Sequence, residues 1–139
     1  MIDTTDIIVL QHFYNHPVET VWQAITDQDA ISSWFIKAVF KPEVGSDYTF
    51  THESTTISGT VLIADRPHQL QYTWIVGDSG VETIVTWTLV PTDAGTEIKL
   101  VHSGIDAYGD SAMKMFESFN QGWAHCASEL EAYLANGSE

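Results

Sequence analysis

Between residues 47 and 103 the large apolar side chains fall at every second position, run after run, and then a helical spacing takes over. That switch constrains the fold more than any single motif. In "DYTFTHES" Tyr48, Phe50 and His52 share a face, and in "QLQYTWIV" Leu70, Tyr72, Trp74 and Val76 do. "ETIVTWTLV" aligns Thr83, Val85, Trp87 and Leu89, while "TEIKLVHS" aligns Thr96, Ile98, Leu100 and His102. "TISGTVLIAD" is expected to group Gly59, Val61 and Ile63. Such alternation gives each strand one buried and one wet face, the habit of antiparallel sheets. Turn chemistry separates the runs at Gly45-Ser46, Arg66-Pro67, Gly77 to Gly80 and Asp93-Ala94-Gly95. With a first strand over 6–14 and a short one in "AVFKP", about seven strands are predicted, in meander order after a helix pair.

The helical spacing runs from 111 to 135, where Ala112, Met115, Phe116, Phe119, Trp123, Cys126, Ala127, Leu130, Tyr133 and Leu134 form one stripe. At roughly 1.5 Å per residue this single helix would extend about 40 Å, the width of a small sheet. Gly122 lies inside it, where a close approach to a strand would account for a residue that weakens helices. Ahead of the sheet, "NHPVETVWQAITD" reads as a helix with Pro17 at its first position and Val18, Val21, Trp22 and Ile25 on its buried side. A second short helix from Asp27 carries Ile31, Trp34 and Phe35. The fold class is therefore α+β, in one domain of 139 residues.

Composition removes several functions. The charge of −14, from 5 Lys+Arg against 19 Asp+Glu, makes nucleic acid and anionic membranes poor partners. An acidic surface of this kind keeps a protein soluble, in saline surroundings or otherwise, or meets a basic partner or a cationic ligand. No apolar run approaches the roughly 18 residues that span a bilayer. The start "MIDTTDIIVLQHF" has no basic head or cleavage site, and Cys126 is the only cysteine, so a cytoplasmic home is expected. The glycosylation pattern Asn136-Gly137-Ser138 has no meaning there.

A sheet of seven strands is wider than the helix that must cover it, which is roughly 10 Å across. Twist would bend the sheet around the helix and leave a wedge between them. Phe50, Tyr72, Trp74, Trp87, Phe116, Phe119 and Trp123 would border that wedge, filling it or walling a hollow.

"NHPVETVWQAITDQDAISSWF" resembles the opening of the helix-grip proteins, the START and Bet v type also called SRPBCC. Closest is their branch homologous to the C-terminal domain of the activator of heat-shock-protein-90 ATPase, with a Pro, a "VW.A.TD" helix and a following "WF". Pro17, Val21-Trp22, Ala24, Thr26-Asp27 and Trp34-Phe35 carry that pattern here. The similarity continues through "VGSDYTF", "GTVLIADRPHQLQYTW" and "TIVTWTLVPTDAGTEIKLVHSG", and ends in "FNQGWAHCASELEAYL". It implies a seven-stranded antiparallel sheet, two small helices and a long C-terminal helix around a hydrophobic cavity. Such proteins include ligand carriers, cyclases and aromatases, resistance proteins and co-chaperone domains linked to the stress response, so the resemblance leaves activity open.

Motif chemistry is thin. His12 and His16 are four apart, but Pro17 pushes His16 toward extended backbone, so no shared helical face and no metal site is expected. His125 and Cys126 are adjacent on a helix and diverge by about 100°, and Cys126 on the apolar stripe reads as a core residue. His52 and His102 alternate with buried residues, so each needs a polar partner, and either could orient a ligand or act as a base. With no nucleophile triad and no implied cofactor, the reading is non-catalytic binding of a small hydrophobic or aromatic molecule. Trp34, Phe50, Tyr72, Trp74, Trp87, Phe116, Phe119 and Trp123 would form the walls, with His52 and His102 as polar contacts. The alternatives are a chaperone-associated or other protein-interaction module, and a cyclase- or aromatase-like enzyme.

Overall fold

Strand β1 (Ile8–Tyr14) is followed by α1 (Val18–Thr26) and α2 (Gln28–Trp34), and then by six strands and a long helix. The strands are β2 (Lys37–Val39), β3 (Asp47–His52), β4 (Thr55–Asp65), β5 (Gln69–Val76), β6 (Glu82–Pro91) and β7 (Thr96–Ser103). A 3-10 helix (Ile105–Ser111) leads into α3 (Ala112–Ala135). The structure, a computed structural model, describes residues 7–35, 37–52, 55–77 and 80–135.

All seven strands form one antiparallel sheet in the order β1-β7-β6-β5-β4-β3-β2. The alternation predicted from sequence sets its faces. Leu70, Tyr72 and Trp74 on β5, Val85, Trp87 and Leu89 on β6, and Ile98, Leu100 and His102 on β7 are all buried on the α3 side. The outer face keeps Val9, Phe13 and Val90 exposed.

Strand β4 departs from the expected grouping. Val61 pairs with Tyr72 but Ile63 pairs with Gln71, so a bulge between them inserts one residue. Beyond it Ala64, opposite Leu70, faces inward, and Ile63 turns to the outer face. One extra residue reverses the parity of everything after it. Gly59 lies within this strand and not at a turn. A Cβ there would sit 2.0 Å from the Thr73 carbonyl oxygen, so only glycine fits. That carbonyl accepts the Tyr48 hydroxyl, and Thr73 Oγ1 accepts the Thr60 amide at 2.8 Å, replacing a regular ladder rung.

The helix pair is joined by Asp27. It ends α1, then accepts the Ala30 amide at 2.9 Å through its carboxylate as the N-cap of α2. Pro17 is the N-cap of α1, one position earlier than expected, with ψ of 151°. Gly104, at φ 85°, turns the chain out of β7 into the 3-10 helix, which has no apolar period to announce it. No helix among the described residues is long and apolar enough to cross a membrane.

Candidate ligand-binding site

The inward side chains of β3, β5 and β6 meet α2 and α3 in a continuous aromatic cluster. Tyr48 lies 4.8 Å from Phe50 and 5.0 Å from Tyr72, ring centre to ring centre. Trp74 lies 5.1 Å from Trp123, and Trp87 meets Trp123 edge-on at 5.9 Å. These are the offset and edge-to-face spacings that aromatic pairs prefer. The rings fill most of the wedge between sheet and helix. What stays open is a void of about 10 Å³ and an apolar crevice of about 90 Å³.

Seven of the ten residues expected at the site line one or both of these two spaces, and His102 lies behind them. Trp34, Phe50, Tyr72 and Trp87 border the inner void together with Ile25, Ile31 and Cys126. Trp74 and Phe119 wall the crevice with Ser118 and Gly122, and Trp123 and Phe35 border both spaces. Phe116 packs half-buried against the edge of the core and lines neither. The side chain of His52 lies outside the described residues. Phe35, Ser118 and Gly122 were not among the site residues expected from sequence. Gly122 does not approach a strand: it is exposed, and a Cβ on it would meet nothing within 4 Å. The signal for it was present in the sequence as a glycine on the seam beside Phe119 and Trp123, but a gap is as good a reason for glycine as a contact.

His102 is fully buried and has a use for each ring nitrogen. The Trp123 indole N–H donates to Nδ1 at 2.9 Å, so Nδ1 carries no proton. Nε2–H must then donate to Thr83 Oγ1 at 2.7 Å, and that hydroxyl donates to the Trp74 carbonyl at 3.1 Å. The chain of bonds fixes one neutral tautomer. Burial pushes the His102 pKa down to about 4, in keeping with that assignment. Phe119 stacks on the imidazole at 4.6 Å. His102 therefore locks α3 to the sheet behind the crevice, and neither nitrogen offers a free lone pair to a reactant.

The other titratable groups of the cluster are also neutral. Desolvation by burial raises the Tyr72 hydroxyl well above its ordinary range, with the Trp87 indole N–H donating to its oxygen at 2.9 Å. Burial likewise pushes the Cys126 thiol up, which makes it a core residue and a poor nucleophile. No group of three or more potential metal ligands occurs among the described residues. Larger hollows of about 290 and 610 Å³ flank α1 and α2 outside the wedge. Their linings include Thr20, Gln23 and Asp27 in one and Asp27, Lys41 and Arg66 in the other, and Arg66 is already held by Glu19 at 2.9 Å.

A curved antiparallel sheet gripped by one long C-terminal helix, with two short helices between β1 and β2, defines a helix-grip α+β protein. Residues 15–135 match the family model described as Activator of Hsp90 ATPase homolog 1-like protein, and the chain belongs to that family. Among solved structures it is similar to protein MLL2253 from Mesorhizobium loti at 27% identity, with 94% of this chain and 97% of that one covered and a TM-score of 0.85. CalU16 from Micromonospora echinospora shares the fold at 24% identity, covering 91% and 74%, with a TM-score of 0.78. So does DynU16, a protein in the dynemicin biosynthetic locus, at 22% identity and a TM-score of 0.80; 94% of this chain spans 47% of that one. Among curated proteins, none matches the sequence.

Proposed function

We propose that this protein binds a small, flat, apolar or aromatic molecule without transforming it, at the crevice between β5 and α3. The observation that carries the reading is the crevice itself. Its lining is almost wholly ring carbon from Phe35, Trp74, Phe119 and Trp123, and Gly122 leaves its helix side open. An apolar cavity that takes up benzene measures about 150 Å³, so a one-ring ligand must displace a side chain to enter a space of about 90 Å³. Phe35 and Phe119, both half-buried, are the rings placed to move. Family membership supports a ligand-binding or protein-binding role of this general kind. The engaged nitrogens of His102 favour binding over cyclase-type chemistry, since the base that chemistry would use is already committed.

A single aromatic ring buries on the order of 150–200 Å², worth about 4–5 kcal/mol at roughly 25 cal/mol per Å², so affinity for so small a probe should be near millimolar. Titration with naphthalene, followed by tryptophan fluorescence and native mass spectrometry, tests the reading. Saturable uptake that changes with Phe119→Ala supports it, and absence of uptake by both methods retires it. The acidic surface favours a second reading, a module that holds a basic protein face. That one requires capture that weakens with salt and ignores Phe119→Ala.

A further inference from the structure

The polar atoms around the two open spaces are unevenly matched. The indole N–H groups of Trp34, Trp87 and Trp123 have acceptors in the Ala24 carbonyl, Tyr72 Oη and His102 Nδ1, at 2.8, 2.9 and 2.9 Å. The Trp74 indole nitrogen is buried and has no hydrogen-bond partner, although its ring walls the crevice. Tyr72, two residues earlier on β5, accepts from Trp87 while no described residue accepts its own proton. The two rings stand side by side, 6.3 Å apart at an interplanar angle of 21°. A buried donor without an acceptor is a cost that native structures rarely keep without cause.

We infer that the site recognises a neutral aromatic molecule by a carbonyl-type acceptor, which the Trp74 indole N–H, buried in the wall of the crevice, binds once a neighbouring ring moves aside, while Tyr72 borders the inner void behind it. This rests on the binding reading above and adds the chemistry of the ligand's buried end. The imbalance runs one way only. His102 Nδ1, the Thr83 hydroxyl and the Trp74 carbonyl are all engaged, so a ligand that brought a donor would find no partner for it. The spaces have no cationic lining and the chain carries a charge of −14, so a carboxylate or phosphate would enter without compensation. An aryl ketone, quinone or lactone meets all three conditions. The surface end is less restricted, because Ser118 is exposed there.

The test compares 1-indanone with indane, which have the same bicyclic carbon frame with and without the carbonyl. In nitrogen-labelled protein, indanone should move the Trp74 indole N–H resonance, one of five such signals, clearly downfield, and indane should not. Trp74→Phe keeps a ring and removes the donor, and should weaken indanone about ten-fold while leaving indane within about two-fold. Equal effects on both compounds, or an unmoved Trp74 resonance at saturation with indanone, would overturn the acceptor assignment and leave the binding reading standing. If neither compound binds, the binding reading itself fails and takes this inference with it. The resonance test uses unmodified protein, so it decides the matter even where a variant does not fold.

Discussion

Along α3 the C-terminal half presses Cys126, Leu130 and Leu134 into the sheet at 3% exposure or less, whereas Met115, Phe116 and Phe119 in the N-terminal half are only half-buried. Both halves carry the same apolar stripe. They differ in what lies beneath them. The C-terminal half is tied to β1, where the Tyr14 hydroxyl donates to the Ala127 carbonyl at 3.0 Å and His12 comes within 3.7 Å of Glu131. The N-terminal half follows the 3-10 helix and lies over the crevice, held at its inner end by Trp123 and His102. One half of the helix closes the core, and the other leaves it accessible.

Substitution should expose that asymmetry most strongly at the closed end. Leu130→Ala empties a fully buried position and should cost about 3 kcal/mol in urea unfolding. Near-wild-type stability would mean that the C-terminal half is as loosely seated as the other. The next effect belongs to the junction. His102 titrates near 6.5 when unfolded and near 4 when folded, so between those values the unfolded chain binds the extra proton. Stability is then full above about pH 6.5 and falls by about 3 kcal/mol as the pH drops to about 4. His102→Gln should flatten that slope in a pH series of unfolding curves. At the open end, Phe116→Ala should cost only about 1.5 kcal/mol, because a half-buried ring loses little burial. The smallest change has the opposite sign: Gly122→Ala should add about 1 kcal/mol of helix stability, since its new methyl has room. Gly122→Leu should narrow the crevice and reduce naphthalene uptake, a result that a purely structural glycine would not give.

The sheet was legible because its strands alternate cleanly: β6 and β7 bury the residues their spacing indicated, and β5 buries Leu70, Tyr72 and Trp74 but leaves Val76 half-buried and buries Thr73 as well. The bulge in β4 was not, because Val61, Leu62, Ile63 and Ala64 are all apolar and no polar residue marks the change of parity. At the site, sequence identified the rings but not the space between them. Whether Tyr48, Phe50, Tyr72 and Trp74 interlock depends on the bend of the sheet and on ring angles, and periodicity encodes neither. The same holds for His102. Its inward position was readable on β7, but its pairing with Trp123 joins positions 21 residues apart, on two elements that only the folded chain brings together.

The contact of Trp74 and Trp87 with Trp123 has an optical consequence. Chromophores packed at about 5–6 Å share excitation, so the near-ultraviolet circular dichroism of the folded protein should carry a coupled signal from these three indoles. Their emission should respond together when anything separates one from the others. The molecule thus contains a built-in reporter at the place where sheet and helix meet, and any displacement of one against the other can be followed by light alone, with no dye attached.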